Sequence, residues 1–372
     1  MTHIALDARL VYYRRESGIG QYILHLAASL PRLDPSLRFT VFHSRKDRVT
    51  MPNAPNARRA DLWTPSHHRL EQIALPIELG RIRLDLLHSP DFIPPFRGRF
   101  RRVITVHDLT FLRYPHFLTA EGRRYYNSQI VRAVQAADHI LADSHATKAD
   151  LMDLLEVSAD KVTVVWLAAH ARFKPITDAE TRRQLKLMGA PSSYLLFVGT
   201  FEPRKNVAGL LSAYRALVDR NTNAPPLVIS GRSGWLFEET LAQVDRLRLR
   251  ERITFLDTPS DSDLVALYNG ASMVVLPSYY EGFGLPVLEA MACGTPVVIS
   301  NRGSLPEIAG DVAVVVDPDD PDGLASAMDR ILNDPDLQSR MRSKGPARAS
   351  EFSWDRCARE TLQVYRRVLR DA

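Results

Sequence analysis

Short apolar runs alternate with amphipathic stretches along the whole chain, and that alternation restricts the fold more than any single motif does. In the first half the runs lie near 3–7, 38–43, 85–88, 103–106, 139–142 and 161–165. Helical periodicity separates them near 18–31, 68–79, 119–137 and 144–155. Strand-helix-strand order of this kind predicts a parallel sheet covered by helices. The second half repeats it, with strands near 194–199, 226–230, 252–256, 272–276, 296–299 and 312–316, and helices near 206–219, 237–248, 261–269, 286–293 and 321–333.

A chain of 372 residues is too long for one ordinary core, so an α/β protein of two doubly wound, Rossmann-like domains is expected. The expected domains are 1–172 and 190–353, joined by a linker near 172–190. In the closing segment, 354–372, Ala358, Leu362, Tyr365 and Leu369 recur at helical spacing, and the segment is expected to pack back on the first domain. Ligands of open parallel sheets bind beyond the C-terminal strand ends, so the expected site is the cleft between the domains.

Composition narrows the classes further. Cys293 and Cys357 match no disulfide framework or zinc spacing and read as reduced thiols in a cytoplasmic protein. No apolar run approaches the ~20 residues needed to span a bilayer, and the opening residues 1–7 read as a strand rather than a leader. Residues 1–175 hold 25 Lys and Arg against 17 Asp and Glu, whereas residues 176–372 hold 23 against 26. Much of the basic excess comes from Arg81, Arg83, Arg97, Arg99, Arg101 and Arg102, interleaved with Ile82, Leu84, Phe96 and Phe100. Peripheral contact with an anionic membrane, or a lipid-linked phosphate acceptor, fits that pattern, and a solvated basic face fits it equally. No recognisable nucleic-acid module or Lys-rich tract is present, so nucleic acid is not an expected partner. No metal and no cofactor is expected: His67 and His68 are adjacent rather than on one helical face, and the acidic string at 317–322 reads as a Pro-containing turn.

The segment Glu281-Gly-Phe-Gly-Leu-Pro-Val-Leu-Glu289 sits between a short apolar strand and a helix that Pro286 suits as a first-turn residue. A helix opening just after a strand aims unpaired N–H groups and a positive dipole end above the sheet, which favours an anionic ligand. Gly282 and Gly284 permit close backbone approach, and Glu281 and Glu289 are two carboxylates able to accept hydroxyl hydrogen bonds. Arg204 and Lys205, in Glu-Pro-Arg-Lys after another strand, stand at a helix start, where cations oppose the dipole; a diphosphate there would resolve the conflict. His107 lies at a strand tip with Asp108 beside it as a candidate orienting group, and either a ligand contact or local backbone bonding accounts for it. Gly18 and Gly20, in Ser-Gly-Ile-Gly-Gln-Tyr, open a helix; they lack the dinucleotide pattern and read either as phosphate-contacting backbone or as a tight turn. In Ala142-Asp143-Ser144-His145, Asp143 or Ser144 reads as a helix cap.

Together these motifs resemble the retaining GT-B glycosyltransferases of glycosyltransferase family 4 over essentially the whole chain. The resemblance implies a GT-B fold with an acceptor-side first domain and a nucleotide-sugar-binding second domain. It implies that Glu281 contacts sugar hydroxyls, that the backbone of Gly282, Phe283, Gly284 and Leu285 lines the sugar and phosphate, and that Glu289 binds the ribose. Lys205 and Arg204 match the diphosphate clamp, Gly18 and Gly20 the N-terminal glycine loop, and His107 the strand-end histidine near the donor sugar. One departure is Thr200, where some members carry Arg after the glycine, which shifts charge neutralisation onto Arg204 and Lys205. The implied activity is metal-independent, retaining hexose transfer from a nucleotide-diphosphate sugar to a glycan or lipid-linked acceptor, in bacterial surface polysaccharide or glycolipid assembly. The donor leans to GDP-mannose, with a UDP-hexose open; a silent sugar-nucleotide-binding protein is the alternative outside enzymes.

Overall fold

In the first unit the chain lays down β1 (His3–Asp7), β2 (Arg38–Ser44), β3 (Ala57–Leu62), β4 (Leu86–Ser89), β5 (Arg101–Val106), β6 (His139–Ala142) and β7 (Val162–Val164). All are parallel, in the order β3-β2-β1-β4-β5-β6-β7. These coordinates are a computed structural model, which describes residues 1–15, 17–48, 54–118, 120–231 and 237–371. The first unit comprises Met1–Leu167 with Ser353–Ala372, and the second Ala168–Phe352. The second carries β8 (Leu195–Val198), β9 (Leu227–Ser230), β10 (Ile253–Leu256), β11 (Met273–Leu276), β12 (Val297–Ser300) and β13 (Val314–Val316), also parallel, in the order β10-β9-β8-β11-β12-β13. Both are α/β sheets of the Rossmann-like kind.

Central strands such as β1, β4, β11 and β12 are buried along their whole length because helices cover both faces; β11 and β12 are near-continuous apolar runs for that reason, whereas β1 and β4 also bury His3, Asp7, His88 and Ser89. In each sheet the winding reverses once, at β1/β4 in the first and at β8/β11 in the second. The loops leaving the C-terminal ends of these strands splay apart there and leave room for side chains to converge.

Besides the short helices Val11–Arg14, Thr110–Arg113 and Leu305–Ala309, two longer elements were not anticipated from the sequence. β3 reads Ala-Arg-Arg-Ala-Asp-Leu and is an edge strand, only partly buried, so it lacks the apolar run that marks its neighbours. The helix Pro335–Ser350 buries Leu337, Met341, Gly345 and Ala349 at four-residue spacing; two of these are small, which weakens the apolar stripe. The helix expected to begin at residue 119 runs Ala120–Ala136, residue 119 itself lying outside the described residues. Residues 172–190 carry the helix Asp178–Met188, which packs on the helix Asp261–Gly270 inside the second unit.

The final helix, Trp354–Arg370, belongs to the first unit and packs on the helix Gly18–Leu33, with the Trp354 and His25 rings stacked 4.2 Å apart. Arg366 pairs with Asp34 at 2.6 Å. Tyr365 reaches into the core and shares a 2.5 Å hydrogen bond with Nδ1 of His88, whose Nε2 lies 2.8 Å from Thr105 Oγ1, itself 2.9 Å from the Tyr22 hydroxyl. Burial drives the His88 imidazole down to about 3, so it is a neutral link in this chain.

Candidate active site

In the second unit the loops leaving β8 and β11 meet because those strands are neighbours, with Met273 opposite Leu195. The β8 loop closes in a short turn, Pro203–Lys205, and then Asn206 adopts a left-handed conformation at φ +53°. The Asn206 side chain caps the helix Val207–Arg220 by accepting from Gly209 N at 3.1 Å, and it donates to the Pro318 carbonyl at 2.9 Å. This fixes the direction of the two preceding side chains. Lys205 Nζ lies 2.6 Å from Glu281 Oε1, and Arg204 Nη1 lies 2.9 Å from Glu281 Oε2. Arg204 Nε also reaches Glu202 at 2.9 Å, and the Arg204 carbonyl accepts from Tyr279 N at 2.7 Å.

Glu281 is held from all sides. Ser278 Oγ donates to Oε1 at 2.7 Å, and the Glu281 carbonyl accepts from Ser304 N at 3.2 Å with Ser304 Oγ 2.9 Å away. Gly303, at φ +57°, passes so close that a Cβ there would sit 2.7 Å from the Glu281 carbonyl oxygen. Burial works to raise the Glu281 carboxyl, but Lys205 and Arg204 outweigh it and hold it down at about 2. Among the described residues, Oε1 has two donors and is saturated, while Oε2 accepts from Arg204 and keeps one acceptor direction. Glu281 can therefore take one further hydroxyl without giving up a cation.

The helix Leu285–Ala292 opens at Gly284, whose φ of +98° is open to glycine, and a Cβ there would also strike Leu305 at 2.7 Å. Phe283 is buried edge-on against Phe352, and its carbonyl accepts from Ser304 Oγ at 2.7 Å. Glu289, one turn into the helix, accepts from the Tyr268 hydroxyl at 2.8 Å. Burial pushes the Glu289 carboxyl up to about 7, against the opposing pull of Tyr268 and of Arg172.

In the first unit His107 follows β5. Its Nδ1 lies 2.7 Å from Asp143 Oδ2 and its Nε2 lies 2.9 Å from the Pro90 carbonyl. Both partners are acceptors, so the ring donates from both nitrogens and is an imidazolium. Burial works to lower its pKa, but Asp143 overrides this and raises it to about 9. Asp108, expected to orient His107, instead accepts from Thr110 N at 3.0 Å. Asp143 is free for His107 because Ser144 caps the helix His145–Leu155, accepting from Thr147 N at 3.1 Å. Tyr22 packs edge-on against the His107 ring, centroids 5.4 Å apart. Gly18 and Gly20 form the first turn of the helix Gly18–Leu33 rather than a separate loop, and Gly20 N donates to Ser17 Oγ at 3.2 Å. A Cβ on Gly20 would lie 2.1 Å from the Arg14 carbonyl, so close packing accounts for that glycine.

Residues 17–168 match the family model described as Glycosyltransferase Family 4, and residues 179–348 match the one described as Glycosyl transferases group 1. The chain is 33% identical over 368 residues to the O-antigen chain mannosyltransferase B of Escherichia coli, a match covering 94% of this chain and 96% of that protein. The chain belongs to glycosyltransferase family 4. It is also 32% identical to the D-inositol 3-phosphate glycosyltransferase of Corynebacterium glutamicum (strain R), across 94% of this chain and 91% of that one. Sucrose-phosphate synthase from Thermosynechococcus elongatus superposes with a TM-score of 0.81 at 23% identity, with 100% of both chains covered, and the fold is GT-B.

As a family 4 glycosyltransferase the protein is an enzyme, and the residues read from its sequence fall into two groups. Arg204, Lys205 and Glu281 converge on one carboxylate, while Gly282, Phe283, Gly284, Leu285 and Glu289 follow it into the helix. His107, Gly18 and Gly20 lie in the first unit. Sequence reasoning missed Asp143, Ser278, Tyr268 and Ser304. Asp143 had a usable signal: Val106 and Ala142 are register partners on β5 and β6, so the residues just beyond them, His107 and Asp143, emerge side by side.

Proposed function

We propose that this glycosyltransferase moves a hexose, mannose from GDP-mannose, to an acceptor hydroxyl with retention of configuration and without a metal ion. The observation that carries the reading is the pair of cations, Arg204 and Lys205, held by one carboxylate beyond the ends of β8 and β11. Donor cleavage leaves negative charge on the departing diphosphate. Arg204, Lys205 and the N-terminus of the helix Leu285–Ala292 supply fixed positive charge for it, and such complementarity lowers the barrier only because it strengthens as charge develops. In the protein alone Glu281 occupies those cations, so it aligns them and keeps one acceptor direction for a sugar hydroxyl.

The engagement of the carboxylates supports a retaining course without a covalent intermediate. Glu281 is tied to two cations and Glu289 to Tyr268, so neither of these two is placed as a covalent nucleophile. Attack from the face of the departing group, with the phosphate taking the acceptor proton, fits this arrangement. His107, an imidazolium fixed by Asp143, contributes positive charge on the first unit, and the basic excess of that unit suits a glycan acceptor presented on a lipid carrier at an anionic membrane. The relative named as an O-antigen mannosyltransferase supports mannose and a surface polysaccharide.

The test is thermal unfolding in chelator with GDP, UDP, GDP-mannose and UDP-glucose, followed by transfer with whichever donor binds. A ligand at about 100 times its dissociation constant adds about 2.7 kcal/mol. The expected result is a selective shift with GDP and GDP-mannose. A shift with UDP and UDP-glucose alone refutes the choice of donor; dependence on added divalent ion refutes the metal-independent course.

A further inference from the structure

The helix Glu71–Leu79 of the first unit has two apolar faces, and only one is covered. Glu71, Leu75 and Leu79 point inward, at four-residue spacing. Leu70, Ile73 and Ile77 are 58%, 64% and 72% exposed. At about 100° per residue these three fall within about 60° of one another, on the side opposite the buried stripe. Trp63, 70% exposed, lies beside the last turn, because its backbone N–H donates to Glu78 Oε1 at 2.6 Å. A surface helix ordinarily turns polar residues outward, and clustered large apolar side chains at such exposure mark an interaction surface.

The rim of this ridge is basic. Arg45 stacks on Trp63, its guanidinium carbon 3.6 Å from the ring centroid. Lys46, Arg48, Arg69, Arg81 and Arg83 are exposed in the flanking segments. The nearby carboxylates are engaged elsewhere: both Glu78 oxygens accept the Trp63 and Thr64 N–H groups, Asp61 pairs with Arg59, and Asp47 is buried against His43. The arginines that looked like one patch in the sequence are also sorted here. Arg101 pairs with Asp138 and Arg102 donates to the carbonyls of Pro95, Phe96, Gly98 and Phe100, whereas Arg81 and Arg83 are exposed in the segment that leaves the helix Glu71–Leu79.

We infer that Leu70, Ile73, Ile77 and Trp63 insert at the surface of an anionic lipid bilayer, with the basic rim meeting the headgroups. Apolar side chains backed by Lys and Arg are what an interfacial helix requires, and an indole ring suits the boundary between headgroup and acyl chain. A second copy of the chain would oppose one basic rim to another, which like-charge repulsion disfavours. Among the described residues no helix is long and apolar enough to cross a membrane, so the contact lies on the surface. The inference rests on the reading of a lipid-carried acceptor and gives it a docking face.

The experiment is co-sedimentation of the full chain with phosphatidylcholine vesicles, with and without phosphatidylglycerol, alongside Ile73→Ser/Ile77→Ser, Arg81→Gln/Arg83→Gln and Trp63→Phe variants. Wild-type protein is expected to bind only the anionic vesicles, with binding that weakens as salt rises. Loss of the two isoleucines is expected to lower partitioning more than about tenfold, and loss of the arginines to flatten the salt dependence. Tryptophan emission is expected to shift to the blue on binding, and that shift to shrink in Trp63→Phe. Failure to bind anionic vesicles, or binding indifferent to Ile73→Ser/Ile77→Ser, overturns the inference. A dimer dispersed by the same variant overturns it in favour of self-association. Transfer to a soluble acceptor is measured in parallel and is expected to be unchanged in Ile73→Ser/Ile77→Ser. Absence of transfer with vesicle binding intact would count against the proposed function and leave the docking face standing.

Discussion

Replacing Glu281 by Gln keeps the shape of the side chain and removes one charge from the middle of a buried cluster. Lys205 is 6% exposed, and its ammonium would then lack a counter-ion 2.6 Å away. Breaking a buried pair by removing one partner costs about 3–5 kcal/mol, chiefly because the remaining charge is left uncompensated. The depressed pKa of the carboxyl corresponds to an effect of similar size. A carboxyl held at about 2 rather than 4.5 contributes about 3 kcal/mol of stability at neutral pH. Because the folded-state pKa is depressed, that contribution is present above about 4.5 and is lost as pH falls toward 2. At about 2–4 °C per kcal/mol for a domain of this size, Glu281→Gln should melt roughly 6–12 °C below wild type at pH 7 and lose its extra sensitivity to acid. The same substitution frees Arg204 and Lys205 for a diphosphate, so free nucleoside diphosphate should bind the variant about tenfold more tightly, about 1.4 kcal/mol, while transfer from the sugar nucleotide falls. Differential scanning fluorimetry with and without nucleotide, plus calorimetric titration, reads both effects. A variant that melts within about 2 °C of wild type and gains no nucleotide affinity would refute the idea that Glu281 and the diphosphate share these cations.

Two further expectations concern pH. The His107 imidazolium is raised to about 9 by Asp143, so its contribution, about 3 kcal/mol, is fully present below about 6.5 and fades as pH rises through 9; Asp143→Asn should remove that alkaline loss and return the His107 ring titration, followed by NMR, to below neutrality, and an unchanged titration would sink the pairing. Glu289, pushed up to about 7, is protonated in much of the protein at neutral pH, and a ribose hydroxyl needs the carboxylate as acceptor. Affinity for an unphosphorylated nucleoside should therefore rise with pH through 7, and Tyr268→Phe, which removes a hydrogen bond that favours the carboxylate, should move that rise to higher pH; a flat profile by calorimetry would exclude Glu289 from ribose binding.

The sequence by itself determined the alternation of elements, because a strand buried on both faces is mainly apolar: β11 is so throughout and β12 up to Ser300, while the buried polar ends of β1 and β4 are bonded side chains such as His3 and His88. Glycine and proline punctuation likewise placed the turn at Gly284 and the start of the helix Leu285–Ala292, since the backbone there adopts a conformation other residues avoid. β3 escaped because an edge strand can be polar, and the helix Pro335–Ser350 because its inward residues include Gly345 and Ala349. What tertiary structure alone decided is partnership. Lys205 and Glu281 are 76 positions apart and His107 and Asp143 are 36 apart, and they meet because parallel neighbours in a sheet deliver their loops to the same edge. Charge type is written in the residue, but whether a carboxylate faces water, a sugar or a buried ammonium depends on which strand lies beside its own.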